Sequence, residues 1–235
     1  MQAFGLSNQG LVRTNNEDAY HLDIEKGLLI VADGMGGHAG GEEASKLAVG
    51  TIVDFLQNDD FSQPEDSIKR AILAANRVVL TKSATDPALT GMGTTLTLAL
   101  ALPDFLITGH IGDSKAYLID DSQLRCLTSD DSVSGQLLAT GKITDAEAEI
   151  HPQRHVLMKA LGTDADLKVE VLRHPWSKGQ YLLLCSDGLT EVVSTQEILI
   201  EVNKSGNLQD KVNRLVSIVL DRGAPDNVTI ILAQF

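Results

Sequence analysis

Aspartates lie at the ends of apolar segments in this chain. Asp33 and Asp187 each end an apolar run and are followed by glycine. Asp113 follows another such run, and Asp18 and Asp226 come shortly before two more. If these runs are strands packed in one sandwich, several of their ends can meet at one mouth, where clustered carboxylates repel one another unless a cation neutralises them. The pattern indicates a metal site, although Asp-Gly is also a common turn pair and any single aspartate could have only that role.

The candidate ligands favour a hard divalent cation. They are oxygen donors, and the sequence shows no cysteine or histidine cluster of the kind that binds Zn²⁺. Mg²⁺ and Mn²⁺ keep most of their waters, so about three to five carboxylates are enough for two ions that share a water. We therefore expect Mg²⁺ or Mn²⁺ as the cofactor.

Two further side chains near these aspartates could take part in chemistry on a phosphate. Arg13 precedes Asp18 by a few residues, and a guanidinium beside an acidic metal site suits bidentate capture of phosphoryl oxygens. His38 follows the glycines after Asp33, where an imidazole could protonate a leaving alkoxide. The alternatives are a surface arginine paired with a carboxylate and an exposed loop histidine with no role.

The strands and helices that must position these residues are predicted in groups, several strands and then helices, rather than in strict strand–helix alternation. Apolar runs predict strands at 2–7, 19–23 and 28–32, then at 94–101, 105–111, 115–119 and 123–127, and finally at 167–172, 181–186 and 227–234. The four central strands have the spacing of an antiparallel meander. Helices are predicted after Gly41, with Ala44 and Phe55 on a buried face, and after Pro64. A third helix is predicted to bury residues from Leu208 to Val219 and to stop at Arg222-Gly223.

This order differs from the strict alternation of a doubly wound parallel fold. It predicts an α+β sandwich of two mostly antiparallel sheets with helices outside. Residues 129–165 are polar and interrupt the pattern, so we expect an insertion over the surface of a single domain that spans 1–235.

Composition excludes several classes of protein. The 235 residues carry 19 Lys+Arg against 32 Asp+Glu, a formal net charge of −13 that disfavours nucleic acid and anionic membranes as partners. The two cysteines are too few for a disulfide framework, and the N-terminus lacks the features of a signal peptide. No apolar stretch approaches the roughly 20 residues of a membrane helix. We expect a cytoplasmic protein.

A set of short motifs, taken together and in order, resembles the bacterial branch of the type 2C metal-dependent serine/threonine protein phosphatases, the PPM family. The motifs are Arg13-x-x-Asn16-Glu17-Asp18, Val31-Ala-Asp33-Gly34-Met35-Gly36-Gly37-His38, Gly93-Thr94-Thr95, His110-Ile-Gly112-Asp113-Ser114, Leu184-Cys-Ser-Asp187-Gly188-Leu189 and Asp226-Asn227-Val228-Thr229. The resemblance runs from about residue 5 to 234. It implies a four-layer αββα sandwich with a binuclear Mg²⁺/Mn²⁺ centre and a flap insertion at about 129–165.

The resemblance also implies roles for single residues. Asp33 would bridge the two ions and the Gly34 carbonyl would ligate one of them. Asp187 and Asp226 would hold the first ion, and Asp18 would act on the second, directly or through waters.

Three further residues have roles implied in the same way. Glu17 would contact metal-bound waters, Asp113 would help Asp187 to bind a weaker third ion, and Arg13 would hold the substrate phosphate. The implied reaction is hydrolysis of phosphoserine and phosphothreonine on proteins by direct attack of a metal-bridging hydroxide, opposing bacterial Ser/Thr kinases, in a monomer.

The sequence departs from the family pattern at four positions. Met35 stands where eukaryotic members have the histidine proposed as general acid, which leaves His38 or a metal-bound water as proton donor. Asp131 replaces the histidine of a frequent Asp-His-Ser, and Met158 and Lys159 replace a more usual Thr-Arg. The last three fall in the expected flap.

Two other functions compete with this one. Residues 34–39 match G-x-G-x-x-A after an apolar strand, with Asp54 twenty residues on, as in a dinucleotide-binding fingerprint. However, Asp54 falls within a predicted helix, and Asp33 would repel a pyrophosphate. A catalytically inactive, phosphatase-like binding module is the second alternative, but its expected signature is loss of metal aspartates, and none of the five is lost.

Overall fold

The structure is a computed structural model that describes residues 1–36 and 40–235. Its strands are β1 (Gln2–Asn8), β2 (Asp18–Asp23), β3 (Leu28–Met35), β4 (Gly93–Thr94), β5 (Leu96–Ala101), β6 (Leu106–Ile111), β7 (Lys115–Ile119), β8 (Leu124–Cys126), β9 (Glu170–His174), β10 (Tyr181–Cys185) and β11 (Val228–Gln234). Its helices are α1 (Gly40–Leu56), α2 (Pro64–Thr85), α3 (Val133–Ala139), α4 (Asp145–Glu149), α5 (Asp187–Thr190), α6 (Thr195–Asn203) and α7 (Leu208–Asp221).

The strands form two sheets. One has the order β1-β11-β10-β7-β8, and the other has the order β2-β3-β5-β6-β9 with the short β4 beside β3. Neighbouring strands in both sheets run antiparallel. This is the antiparallel architecture that the order of elements predicts.

Three apolar clusters separate four layers. Leu29 and Val31 of β3 face Leu182 and Leu184 of β10 in the cluster between the two sheets. The intervening Ile30 packs instead against α1 and α2 on the outer side of its sheet. A third cluster lies between the other sheet and helices α6 and α7. Because strand side chains alternate between faces, each fully apolar strand supplies both an inner and an outer core, which confirms the αββα sandwich.

The expected meander is wrong in one respect that matters for the site. Strands β5 and β6 belong to one sheet, whereas β7 and β8 belong to the other. The chain crosses between the sheets at the turn after β6, where Gly112 has a φ of +101° and a Cβ atom there would lie 2.8 Å from Thr95. Glycine permits both the left-handed backbone and this close approach. The crossing carries Asp113 to the edge where the sheets meet.

Some local expectations also change. Helices α5 and α6 follow β10 in a region for which no helix was predicted, because α5 has only 4 residues and α6 only 9. Phe55, expected on the buried face of α1, is 42% exposed, since the neighbouring Leu56 fills the core position instead. Strand β9 begins at Glu170, three residues later than expected.

Residues 129–165 lie outside both sheets. They contain α3 and α4. One isolated bridge, between Thr94 and Leu161, joins the segment to the rest of the chain, and another, between Ser132 and Leu157, lies within it. Among the described residues, no helix combines the length and the apolar character that crossing a bilayer requires.

Candidate metal centre

Two of the predicted aspartates are direct neighbours across a strand pair. Asp18 at the start of β2 is paired in register with Asp33 near the end of β3. Residues directly opposite each other in an antiparallel pair project to the same face of the sheet. The strand register therefore places these two carboxylates side by side.

Two more aspartates lie at one end of the other sheet. Asp187 begins α5 directly after Ser186, and Asp226 shortly precedes β11. Because β10 and β11 are antiparallel and Cys185 pairs with Ile230, the end of β10 lies beside the start of β11. The loops that carry both aspartates thus leave the sheet at the same edge.

Asp33 is influenced electrostatically by the other four aspartates. Burial raises the pKa of Asp33 well above its ordinary value, and the charges of Asp18, Asp187, Asp113 and Asp226 each raise it further. The loops and strand ends that carry these aspartates, from both sheets, therefore converge on one mouth around Asp33. A divalent cation bound among these carboxylates would offset the repulsion between their negative charges.

Asp18 is the most buried member of the group by residue exposure, at 6%. Its Oδ2 accepts a hydrogen bond of 2.8 Å from Ser186 Oγ, whereas its Oδ1 is buried and finds no hydrogen-bond partner among the described residues. Burial, more than the charges of Asp187 and Asp226, raises the pKa of Asp18 to about 7. An orphaned buried carboxylate oxygen costs free energy unless something binds it, so this atom fits a cation.

Asp113 completes the group from the crossing turn. Burial raises its pKa to about 7, with the charge of Asp187 as the next contribution. The pKa of Asp187 is raised as well, again first by burial and then by the charge of Asp226. Hydroxyl contacts connect this turn to β3, because Thr95 Oγ1 lies 2.7 Å from Ser114 Oγ and accepts from the Asp33 amide at 2.9 Å.

Glycines allow the backbones around the carboxylates to approach closely. A Cβ atom on Gly34 would lie 2.1 Å from the Gly41 carbonyl oxygen, and one on Gly188 would lie 1.9 Å from the Asn227 carbonyl oxygen. The Gly34 amide donates to the Glu17 carbonyl at 3.1 Å. These contacts leave no room for a side chain and hold Gly34 between Glu17 and α1.

Asn227 ties the N-terminal loop to the edge of the second sheet. Its Oδ1 accepts from the Glu17 amide at 2.8 Å, and its Nδ2 donates to the carbonyls of Gln9 and Asn15 at 2.8 and 2.9 Å. Asn227 and Ser186 both stand next to an aspartate within the quoted motifs, but nothing in the sequence pattern indicates a role for either. Their function as supports is visible only in the hydrogen bonds.

Arg13 points into the acidic mouth. Its Nη2 donates to Asp226 Oδ2 at 2.6 Å, and its side chain remains 53% exposed. The hydrogen bond to Asp226 is the largest of the contacts that raise the pKa of Arg13. The expected alternative, an arginine paired with a carboxylate, is therefore observed, but the partner is one of the five clustered aspartates.

Glu17 lies at the rim of the same mouth. A Cβ atom on Gly41 would lie 2.6 Å from Glu17 Oε2, and burial raises the pKa of Glu17. The second candidate for proton transfer, His38, lies outside the described residues.

Two of the three residues in the 129–165 segment that depart from the family pattern contact each other. Lys159 Nζ donates to Asp131 Oδ1, so two of the unusual residues form an ion pair. The other oxygen of Asp131 accepts from the Gly112 amide at 3.2 Å, and the Asp131 amide donates to the Gly112 carbonyl at 2.7 Å. This segment thus braces the turn that carries Asp113. Met158 is 55% exposed, and its side chain has no evident structural role.

Comparison with known proteins agrees with this geometry. The sequence profile of the family described as "Protein phosphatase 2C" matches residues 12–232. The chain is 38% identical, over 97% of its length, to the serine/threonine protein phosphatase PstP of Mycobacterium tuberculosis, of which it spans only 44%. It is 32% identical to the serine/threonine phosphatase stp of Listeria monocytogenes, over 100% of this chain and 96% of the relative.

Solved structures show the same fold. A crystal structure of the catalytic domain of serine/threonine protein phosphatase PstP in complex with two manganese ions superposes with a TM-score of 0.89 at 35% identity. The match covers 99% of this chain and 97% of that one. The superposition therefore includes both sheets.

Proposed function

Since the chain belongs to the protein phosphatase 2C family, we propose that it is a Mg²⁺- or Mn²⁺-dependent protein serine/threonine phosphatase that hydrolyses phosphoserine and phosphothreonine on proteins. The observation that carries this proposal is the convergence of five aspartates on one mouth, with a buried oxygen of Asp18 left without a partner. Two bound ions would neutralise four of the negative charges that these carboxylates bring together.

The proposed ligands are those whose positions fit a pair of cations. Asp33 and the Gly34 carbonyl come from the end of β3, Asp187 and Asp226 from the edge of the second sheet, and Asp18 from the strand beside Asp33. The raised pKa of Asp113 and its electrostatic contact with Asp187 support a role in a weaker third site.

Two ions held by these residues would lower the pKa of a bound water and neutralise phosphoryl oxygens. The chain's residues position the reactants. Arg13 can exchange part of its contact with Asp226 for the phosphate, since a guanidinium has donors enough for both. Glu17, at the rim of the mouth, would accept hydrogen bonds from metal-bound waters.

The competing functions lack support. Strand β3 pairs antiparallel with β2 and β5, so the glycines after Asp33 do not follow a strand of a parallel dinucleotide-binding sheet. An inactive binding module would not need to keep five mutually repelling carboxylates buried together at a cost in stability.

The remaining parts of the proposal concern the molecule as a whole. We place the whole chain in one catalytic domain with the 129–165 segment as its flap, acting as a cytoplasmic monomer on phosphoproteins rather than on nucleic acid. The net charge of −13 and the two cysteines, which are both free, support this assignment.

The test is hydrolysis of a phosphothreonine peptide in Mn²⁺ or Mg²⁺. Turnover should cease in EDTA and in the Asp187→Asn variant, because a neutral amide cannot replace a carboxylate ligand. Asp54→Asn is the matched control, since Asp54 is exposed on α1 and is the residue that a dinucleotide site would need. Normal turnover in excess chelator would refute the proposal.

A further inference from the structure

A buried histidine lies between the two sheets, beside the turn at which the chain crosses from one to the other. His110 of β6 is 3% exposed and pairs in register with Thr97 of β5. Leu106 and Ala99, which project to the same face of these two strands, belong to the apolar cluster between the sheets. A polar ring in such a cluster costs free energy unless its nitrogens are hydrogen-bonded. None of the roles proposed above involves this side chain.

Both ring nitrogens of His110 have partners. Nε2 lies 2.9 Å from the Gly112 carbonyl oxygen, and Nδ1 lies 2.9 Å from Thr97 Oγ1. Because a carbonyl oxygen only accepts hydrogen bonds, Nε2 must carry the proton. Burial lowers the pKa of His110 to about 4, so the ring is neutral and Nδ1 accepts from the Thr97 hydroxyl. The ring is therefore held as the Nε2–H tautomer between β5 and the turn.

His110 and Thr97 hold the peptide groups on both sides of Asp113. His110 donates to the Gly112 carbonyl, and Thr97 Oγ1 shares its hydroxyl proton with the Ser114 carbonyl oxygen, which is also 2.9 Å away. Gly112 has a φ of +101°, so the backbone changes direction directly before Asp113. A shift of either peptide group would move the Asp113 carboxylate relative to the rest of the acidic mouth.

We propose that His110 is a positioning residue, whose Nε2–H group, together with the Thr97 hydroxyl, fixes the turn that carries Asp113 into the acidic mouth. For its effect on turnover, though not for its effect on the turn, this role rests on the proposed function. His110 acts through Gly112 and needs no contact with the substrate. A displacement of about 1 Å in an active site can lower a rate about 100-fold, so a small shift of the turn is enough to matter.

A second buried histidine in the same sheet provides a matched control. His174 of β9 is 9% exposed and pairs in register with Leu106, at the end of β6 remote from the mouth. Its Nε2 lies 2.9 Å from Thr108 Oγ1, so it too is bonded to a threonine hydroxyl. Leucine at either position removes a buried hydrogen bond, and both variants should lose stability. Only His110→Leu should loosen the turn.

The first experiment is amide hydrogen exchange of the full chain in EDTA, followed by NMR. The amides of Gly112 and Asp131 report on the turn, because the first donates to Asp131 Oδ2 and the second to the Gly112 carbonyl. Both should exchange at least about 10-fold faster in His110→Leu, as loss of one buried hydrogen bond predicts, and at the wild-type rate in His174→Leu. His110→Gln should restore most of the protection, since its amide nitrogen can donate in place of Nε2.

The second experiment is hydrolysis of a phosphothreonine peptide in saturating Mn²⁺. In His110→Leu, kcat should fall about 10- to 100-fold while KM changes less than about 3-fold. His110→Gln should recover most of this loss, and His174→Leu should keep the wild-type kcat. Thr97→Val removes the hydroxyl with little change of shape and should lower kcat in the same direction, so it remains informative if His110→Leu folds poorly.

The outcomes separate this role from the proposed function. Equal exchange at the turn in His110→Leu and His174→Leu, an Nδ1–H tautomer in the ¹⁵N NMR spectrum of the wild type, or a wild-type kcat in His110→Leu would each overturn it. If the wild type hydrolyses no phosphopeptide, the proposed function fails. The exchange rates and the tautomer then still decide whether His110 holds the turn.

Discussion

Removing the metal should make the stability of this protein fall as pH rises through the neutral range. The buried carboxylates of Asp18 and Asp113 have pKa values raised to about 7, from about 3.8 for the free side chain. Between these values the native state binds more protons than the unfolded state, so the free energy of unfolding decreases with increasing pH. The change begins above about pH 4 and is nearly complete by about pH 8.

The magnitude follows from the proton affinities. For Asp18 alone, two-state linkage with these pKa values gives a loss of about 2 kcal/mol in the free energy of unfolding between pH 5.5 and pH 7.5. Asp113, with a similar pKa, contributes to the same window, but coupling through the shared cluster makes the total less than a simple sum. Wild-type protein should therefore lose more than Asp18→Asn over this range.

The assay is urea unfolding at pH 5.5, 6.5 and 7.5 in EDTA, with wild type and Asp18→Asn side by side. Asp18→Asn should show a pH dependence that is smaller by up to about 2 kcal/mol. Saturating Mn²⁺ should reverse the trend in the wild type, because metal binding needs the deprotonated carboxylates and strengthens as pH rises. A chelated wild type that gains stability from pH 5.5 to pH 7.5, or equal slopes for the two proteins, would refute the argument from burial and crowding.

Three further predictions concern single residues. Arg13→Ala should lower kcat/KM for a phosphopeptide about 10- to 100-fold, because charge-assisted hydrogen bonds contribute about 1.5–3 kcal/mol, and unchanged kinetics would remove Arg13 from phosphate binding. Gly188→Ala should lower the free energy of unfolding by about 1–3 kcal/mol, since its Cβ would lie 1.9 Å from the Asn227 carbonyl oxygen, whereas Gly50→Ala, with nothing within 4 Å, should not destabilise in the same denaturant assay. Asp113→Asn should strongly reduce turnover while dialysis still finds the tightly bound Mn²⁺; loss of all bound metal would show that Asp113 is a primary ligand.

Much of the fold could be predicted from periodicity. The apolar runs of β3, β10 and β11 are long and bounded by polar turns, and each is buried on both faces as such a run requires. The short helix α5 was missed, because a single helical turn has too few residues to show a pattern.

The crossing of the chain between the two sheets could not be predicted from the sequence pattern either. The short connection between β6 and β7 is compatible with a hairpin in one sheet and also with a crossing between two sheets. Only long-range packing determines which strand each of them pairs with. The left-handed backbone at Gly112 is compatible with either arrangement.

The sequence by itself determined which residues could do chemistry, because an aspartate at the end of an apolar run is visible without coordinates, and the ordered motifs identified the family. Only the tertiary structure shows which groups those residues contact. The orphaned oxygen of Asp18, the pairing of Arg13 with Asp226 and the hydrogen bond from the Glu17 amide to Asn227 all join residues far apart in the chain. The physical reason is that burial and charge crowding depend on distances in space, which only the packing of the two sheets sets.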